Sequence, residues 1–236
     1  MNTLKDKVVV ITGSSGGLGL SLAKLLVLKG ARVVISSRDE KKLCQVGKEM
    51  NILSVVADVT NEEEVSSLAT IVTAEYGRID YWINNAGIWV PHSSIEEMDI
   101  KKVHDMLEVN LFGTIYGSKH ALMRMKKQGN GTIVNIISTS GLYGRANSSG
   151  YASSKWAVRG FTESLRDEVK DSNIKVIAVY PGGMKTNLFD EKKPDDYENY
   201  MTAESVAETI VNNLTKDVPD EELVIKRPEI VTFVNS

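Results

Sequence analysis

The sequence predicts an α/β fold in which helices cover both faces of a single, mostly parallel sheet. Short β-branched runs alternate with helical patterns along the chain, and each run is continuously apolar. Strands that are buried on both faces have this composition, and strand–helix alternation is typical of right-handed βαβ units. A glycine-rich turn directly follows the first run, which is where such folds bind phosphate groups.

Six segments are predicted as strands from these apolar runs. They are residues 8–11, 33–35, 55–57, 81–83, 133–137 and 176–179. Between them, apolar residues recur at intervals of three and four, which indicates amphipathic helices. Asn61 precedes three glutamates and marks one helix start. Residues 106–125 and 151–169 are predicted as two longer helices.

The composition argues against several classes of protein. The net charge is −3 and no strong Lys/Arg cluster occurs, whereas a nucleic-acid-binding protein usually presents a basic face. The single cysteine, Cys44, permits no intramolecular disulfide, and we expect no metal site. No apolar run approaches the length of a membrane span, and the first residues do not resemble a signal peptide. We therefore expect a cytoplasmic protein that acts on a small molecule, without a membrane partner.

No repeat, low-complexity segment or linker divides the chain, so we expect one domain over residues 1–236. The least regular stretch is residues 187–200, which is polar and contains a proline. It is either a solvated loop or a flexible lid over a substrate.

The turn after the first strand reads TGSSGGLG at residues 12–19. Glycines allow the backbone to turn sharply and to approach a ligand, and the following helix presents free N–H groups to a pyrophosphate. The spacing matches neither G-x-G-x-x-G nor a P-loop. We interpret it as a dinucleotide-binding turn, with a structural glycine turn as the alternative.

The end of the second strand bears on the choice of cofactor, because it reads Ser36-Ser37-Arg38-Asp39. An acid there would bind the ribose hydroxyls of NAD, whereas an arginine would accept the 2′-phosphate of NADP. Asp39 opens a helical pattern and is suited to capping it. We therefore predict that Arg38 faces the cofactor and that NADP(H) is preferred. The alternative is that Arg38 is an ordinary surface arginine without a role in binding.

Three further polar segments follow predicted strands. They are NNAG at 84–87, STSG at 138–141 and PGGMKT at 181–186. Each alone is a turn signal, but the carboxyl ends of parallel strands share the edge of the sheet where ligands bind. We expect all three segments beside the glycine turn.

Tyr151 and Lys155 stand four residues apart in SSGYASSKWA, which places them on one face of a helix. A nearby ammonium favours the phenolate form of tyrosine, which would assist proton transfer. The pair alone is common by chance, so its meaning depends on the rest of the chain.

Together these segments resemble the short-chain dehydrogenase/reductase family. The matching elements are TGSSGGLG, Asp58 in ADVT, NNAG, Asn110 in EVNLFG, Ser138, the Tyr151/Lys155 pair and PGGMKT, in family order over about residues 5–186. The resemblance implies a doubly wound, seven-stranded Rossmann-type sheet, a nicotinamide cofactor and a homodimer or homotetramer. A seventh strand is expected within residues 222–228, although the tail departs from the family's glycine-rich end.

The resemblance also implies roles for four residues. Tyr151 would be the general acid/base, Lys155 would bind the nicotinamide ribose and lower the pKa of Tyr151, and Ser138 would hydrogen-bond the substrate oxygen. Asn110 would hold a water molecule, or would be a helix-interior asparagine that bonds backbone groups. The implied cofactor-binding residues are Gly13, Ser14, Ser15, Gly17, Leu18, Gly19, Ser37, Arg38, Asp58, Val59, Asn85, Ala86, Gly87, Tyr151, Lys155, Pro181, Gly182, Met184 and Thr186.

The function that we predict is NADP(H)-dependent interconversion of a carbonyl and a secondary alcohol by hydride transfer. The alternatives are the same chemistry with NAD(H) and a catalytically silent dinucleotide sensor. The substrate pocket, in contrast to the cofactor site, has no motif of its own. For each candidate wall residue, ordinary packing beside the site is an equally good explanation. The candidates are Trp89, Leu142, Tyr143, Gly183, Met184 and Leu188.

Overall fold

Seven strands form one fully parallel sheet in the computed structural model, which describes residues 3–227. The strands are β1 (Val8–Thr12), β2 (Arg32–Ser37), β3 (Leu53–Val56), β4 (Tyr81–Asn84), β5 (Gly131–Ile136), β6 (Ile174–Pro181) and β9 (Glu222–Ile225). Their order across the sheet is β3-β2-β1-β4-β5-β6-β9. Two short strands, β7 (Met184–Lys185) and β8 (Met201–Thr202), form a separate parallel pair.

The predicted Rossmann-type sheet is confirmed, and each predicted strand is present with shifted ends. The third strand is observed earlier than predicted, because residue 57 already belongs to the loop after β3. The seventh strand ends at Ile225, and residue 228, where its predicted stretch ended, lies outside the described residues.

Seven α-helices connect or flank the strands within the described residues. They are α1 (Gly17–Leu28), α2 (Glu40–Met50), α3 (Glu62–Tyr76), α4 (Ile100–Leu107), α5 (Gly113–Gln128), α6 (Ser149–Val169) and α7 (Ala203–Leu214). Asn61 caps α3 as predicted, since its side chain accepts hydrogen bonds from the backbone N–H groups of Glu63 and Glu64. A π-helical turn joins α4 to α5, so the predicted helix at 106–125 lies inside one longer helical stretch.

The helices cover both faces of the sheet. In β1, Val9 and Ile11 pack into a core with α1, α2 and α7, whereas Val8 and Val10 point to the opposite core with α3, α5 and α6. This division explains why the strand is apolar at every position, because successive side chains enter different cores. No helix within residues 3–227 combines the length and apolarity that crossing a membrane requires.

Candidate active site

A cavity of about 990 Å³ opens at the carboxyl edge of the sheet, where the strand order reverses between β1 and β4. Ligands bind at this position in open α/β sheets. Seventeen of the residues predicted to bind the cofactor line it: Gly13, Ser15, Gly17, Leu18, Ser37, Arg38, Asp58, Val59, Asn85, Ala86, Gly87, Tyr151, Lys155, Pro181, Gly182, Met184 and Thr186. Ser138 also lines the cavity, whereas Ser14, Gly19 and Asn110 do not.

The glycine turn is held by close backbone contacts. Gly13 has φ +62°, and a Cβ atom on it would lie 2.7 Å from Cα of Ala86. A Cβ on Gly19 would lie 2.6 Å from the Asn85 side chain. Gly19 therefore allows the turn to pack closely against Asn85 and does not line the cavity. The Ser14 hydroxyl points inward and donates to the Ile11 carbonyl oxygen at 2.7 Å.

Thr12 and Asn85 fasten this turn to the loop after β4. The Thr12 hydroxyl accepts hydrogen bonds from the backbone N–H groups of Asn85 and Ala86, each at 3.1 Å. The Asn85 side chain donates to the carbonyl oxygens of Thr12 and Gly13 at 2.9 and 3.0 Å. The two predicted turns therefore form one unit, as their shared sheet edge implied.

The first turn of α1 fits the pyrophosphate of a dinucleotide. Gly16 stands at the N-cap and provides no side-chain acceptor, and the first turn contains no acidic residue. In contrast, α2, α3, α4 and α7 each begin with a side chain that accepts backbone N–H groups. Because the residues that open α1 line the cavity, its free N–H groups are available to an anion there.

At the end of β2, Arg38 lines the cavity, whereas Asp39 does not. Ser37 and Arg38 line the cavity, and the Arg38 guanidinium lies 3.7 Å from the Asp58 carboxylate with 65% of its side chain exposed. The carboxylate of Asp39 instead accepts a hydrogen bond from the backbone N–H of Lys42 at 3.1 Å. That hydrogen bond holds the pKa of Asp39 below its ordinary value, and Asp39 caps α2 as predicted.

Tyr151 and Lys155 occupy adjacent turns of α6 and both line the cavity. The Lys155 ammonium nitrogen lies 5.8 Å from the centre of the Tyr151 ring and donates to the Ile136 carbonyl oxygen at 3.3 Å. The helical spacing therefore does place the phenol and the cation together, at the end of β5.

Burial shifts the pKa values of this pair in opposite directions. It raises the pKa of the Tyr151 phenol to about 12, while a hydrogen bond with Ser138 acts to lower that pKa. It lowers the pKa of Lys155 to about 8. Lys155 is not among the groups that shift the pKa of Tyr151. Lost hydration of the phenolate therefore decides the direction of the shift, and the lowering by Lys155 that the resemblance implies stays a prediction. At neutral pH the phenol keeps its proton, which suits a proton donor.

Ser138 adopts a backbone conformation that side chains rarely take, with φ +154° and ψ +157°. Its hydroxyl accepts a hydrogen bond from the backbone N–H of Ser140 at 3.1 Å and also bonds Tyr151. The turn after β5 thus fixes the serine hydroxyl beside the phenol, where a substrate oxygen can contact both groups.

Asn110 lies in the π-helical turn between α4 and α5. Its side chain accepts from the Ile88 backbone N–H at 2.8 Å and donates to the Ile88 carbonyl oxygen at 3.0 Å and the Ser154 hydroxyl at 3.1 Å. Such bonds to backbone groups are what we expected of a helix-interior asparagine with a structural role. Asn110 therefore positions the loop after β4 against α6, and the water-holding role implied by the resemblance stays a prediction.

Aromatic rings form much of the remaining wall. Phe189 packs edge-on against Trp89 and Tyr200, with ring centres 5.1 and 5.5 Å away. The predicted walls Trp89, Tyr143, Gly183, Met184 and Leu188 line the cavity. Leu142 does not, because it packs against a small core formed by Ile137, Val158, Ala178 and Tyr180.

Phe189 and Tyr200, which line the cavity, fall in the stretch 187–200 that the sequence predicts as a loop or a lid. Sequence reasoning missed other residues of the wall, among them His92, Arg145, Lys226 and Arg227. Most come from loops without a motif, and the last two follow β9. Only Arg145 carried a usable signal, because it lies between Ser138 and Tyr151, which were both singled out.

A doubly wound sheet, a cavity at the point where the strand order reverses and a tyrosine–lysine pair in the cavity wall are the features of a Rossmann-type oxidoreductase. The profile of the family described as short chain dehydrogenase matches residues 7–197, and the chain belongs to this family.

Individual relatives agree with this membership over nearly the whole chain. A protein of Staphylococcus saprophyticus named as an uncharacterized oxidoreductase is 35% identical over 237 residues, covering 95% of each chain. Levodione reductase is 29% identical with a TM-score of 0.86, covering 94% of this chain and 97% of its own. The 3-ketoacyl-(acyl-carrier-protein) reductase of Brucella melitensis, solved with NADH, is 25% identical with a TM-score of 0.87 and the same coverage.

Proposed function

We propose that this protein is an NADP(H)-dependent oxidoreductase that interconverts a carbonyl and a secondary alcohol, working as a reductase. The observation that carries the proposal is the convergence of the Tyr151 phenol, the Ser138 hydroxyl and the Lys155 ammonium in the wall of the cavity that the glycine turn also lines. The raised pKa of Tyr151 is compatible with the reductase direction, because a phenol that holds its proton can donate it to the carbonyl oxygen.

The chain's own groups supply proton transfer and charge stabilisation. When bound, NADPH supplies the hydride. Ser138 and Tyr151 hydrogen-bond the carbonyl oxygen, and the Tyr151 hydroxyl donates its proton to that oxygen as negative charge develops there. The Lys155 ammonium then stabilises the phenolate that remains, and a proton from solvent restores the phenol.

The preference for NADP(H) rests on the end of β2. Arg38 faces the cavity with an exposed guanidinium that can pair with a 2′-phosphate. The Asp39 carboxylate, which could have bound ribose hydroxyls, is engaged at the start of α2. Both the charge and its placement therefore favour the phosphorylated cofactor.

A panel of ketones and aldehydes, followed by the loss of NADPH absorbance with NADH alongside, tests the activity. Tyr151→Phe should lower kcat for a reduced carbonyl by at least about 100-fold, since general acid catalysis contributes roughly 10²–10⁴-fold. NADPH should still bind, which fluorescence titration would show. Unchanged reduction by Tyr151→Phe would refute the assigned role, and NADPH binding without turnover of any carbonyl would favour the sensor.

Cofactor choice has its own test. Arg38→Ala should weaken NADPH binding by about tenfold or more while changing NADH binding less than about twofold, because a charge-assisted bond to phosphate is worth roughly 1.5–3 kcal/mol. Arg32→Ala is the matched control, because Arg32 lies at the opposite end of the same strand. Equal losses for the two cofactors in Arg38→Ala would show that the guanidinium does not read the phosphate.

We further propose that residues 187–200 act as a substrate lid. This segment contributes Leu188, Phe189, Pro194 and Tyr200 to the cavity wall, so it bounds the space beside the reacting groups. Movement of the segment would admit the substrate, and its return would exclude the water that weakens electrostatic stabilisation.

A further inference from the structure

Arg145 is a cation in the cavity wall that has no counter-charge among the described residues. It lies in the loop between Ser138 and Tyr151, its side chain is exposed, and it lines the cavity. The other two arginines in the wall are paired, Arg38 with Asp58 and Arg227 with Asp196. Within residues 3–227, no carboxylate lies within ion-pair distance of Arg145.

The acidic residues in the same region do not compensate for this charge. Glu191 and Asp196 line the cavity, but Glu191 is bonded to Lys102 at 2.5 Å and Asp196 to Arg227 at 2.8 Å. Each carboxylate therefore already has a cation of its own. Lys226 adds a second exposed cation to the wall.

The pKa of His92 responds to the positive charges around this end of the cavity. Its ring packs 5.5 Å from Trp89, and its pKa is lowered first by burial and then by the positive charges of Arg145 and Lys192. The imidazole is therefore neutral at pH 7 and adds no cation. The aromatic end of the cavity is consequently electropositive, although the whole chain carries a net charge of −3.

We propose that the carbonyl substrate carries a carboxylate that pairs with Arg145. This inference rests on the proposed function, because Arg145 is read as a substrate contact of the same site. A guanidinium binds a carboxylate through two parallel hydrogen bonds, which fixes orientation as well as position. From its loop, Arg145 would hold the charged end of the substrate while the carbonyl meets Ser138 and Tyr151.

The test compares ketones that differ in charge and little in shape. The probes are 4-acetylbenzoate and 3-acetylbenzoate, with 4-acetylbenzamide as the neutral match, and their flat rings suit the wall formed by Trp89 and Phe189. With NADPH at low salt, kcat/KM should be about tenfold higher for the better carboxylate than for the amide. The advantage should shrink as salt is added, because Arg145 is exposed.

Three variants assign the effect to one residue. Arg145→Gln should lower kcat/KM for the carboxylates about tenfold more than for the amide. Arg145→Glu should reverse the preference, so that the cationic 4-acetylbenzylamine becomes a better substrate than the benzoate. Arg32→Gln, an exposed arginine at the far end of β2 that pairs with Asp6, should leave the ratio unchanged.

Three outcomes would overturn the inference, and they separate its failure from the failure of the proposed function. Reduction of the amide as fast as both carboxylates, or equal losses for all probes in Arg145→Gln, would remove the carboxylate contact and leave the proposed function intact. Failure of the wild-type protein to reduce any carbonyl compound would remove the proposed function and this inference with it.

Discussion

The proton on Tyr151 and the charge on Lys155 respond to pH over different ranges. The phenol has a pKa raised to about 12, so it stays protonated through the physiological range. The ammonium has a pKa lowered to about 8, so it loses its charge just above neutrality. Lys155 is therefore the residue that sets the pH dependence of the proposed reduction.

We predict that kcat/KM for carbonyl reduction is constant below about pH 7 and falls as pH rises through about 8. The direction follows because deprotonation of Lys155 removes the charge that stabilises the phenolate left by proton donation. Initial rates between pH 6 and 10 at saturating NADPH would measure the profile. Lys155→Arg should lose the fall near pH 8, because guanidinium does not titrate in this range.

A rate that rises between pH 6 and 9 would contradict this assignment. Such a profile would mean that the reaction needs a deprotonated group, as alcohol oxidation by a phenolate would. The same buffers with an alcohol and NADP should give the rising profile, which provides an internal comparison.

At this scale the sequence predicted which residues meet but not how they titrate. Tyr151, Lys155 and Ser138 could be predicted because helical spacing and strand ends place them. The direction of the Tyr151 pKa shift could not, since it depends on how much water surrounds the phenol. That quantity is set by segments far away in the sequence.

Three ion pairs join the proposed lid at 187–200 to other elements, and one of them, Lys185 with Glu198, is largely exposed. Lys102 in α4 bonds Glu191, and Arg227, which follows β9, bonds Asp196 and lies 4.3 Å from the centre of the Tyr200 ring. The Arg227 side chain is 30% exposed, so water screens this contact only in part. The proposed lid is thereby coupled to the segment that follows β9.

We predict that Arg227→Ala raises KM for the carbonyl substrate by about three- to tenfold, while the dissociation constant of NADPH changes less than about twofold. Removing the guanidinium removes its contacts with both Asp196 and Tyr200, so the closed conformation of the proposed lid is destabilised. Steady-state kinetics and fluorescence titration would separate the two constants.

Lys185→Ala is the matched control for the lid. It removes an ion pair with the same segment, Lys185 with Glu198 at 3.2 Å, but Glu198 is 86% exposed. We expect no measurable change, because exposed pairs contribute little. Equal effects of the two substitutions would show that Arg227 has no particular role in closure.

The elements themselves were predictable because their signals are local. Continuous apolar runs identified the strands, and Asp39 and Asn61 identified two helix starts. The attachment of Arg227 to Asp196 was not predictable, because the two residues follow different strands and meet only after the sheet forms. The π-helical turn at Glu108–Phe112 also lacked a signal, since its residues read as ordinary helix.

On the scale of the whole molecule, large apolar side chains are exposed on the two longest helices. Phe112 and Met123 lie at or in α5, and Trp156 lies in α6 with 45% of its surface exposed. Both helices cover the same face of the sheet. Because exposed apolar groups on one face can mark an association surface, we propose that this face mediates self-association into a homodimer or homotetramer.

We predict that Trp156→Glu converts the assembly to smaller species at about 10 µM protein. Arg159, whose guanidinium lies 5.3 Å from the centre of the Trp156 ring, already pairs with Glu163. A further carboxylate in an apolar interface costs several kcal/mol, and each 1.4 kcal/mol is about tenfold in the dissociation constant. Light scattering coupled to size-exclusion chromatography would measure the mass. Leu28→Glu is the control, because Leu28 is 80% exposed at the end of α1, on the opposite face. A mass that Trp156→Glu leaves unchanged would exclude α6 from the interface, whereas dissociation by Leu28→Glu would move the interface to α1.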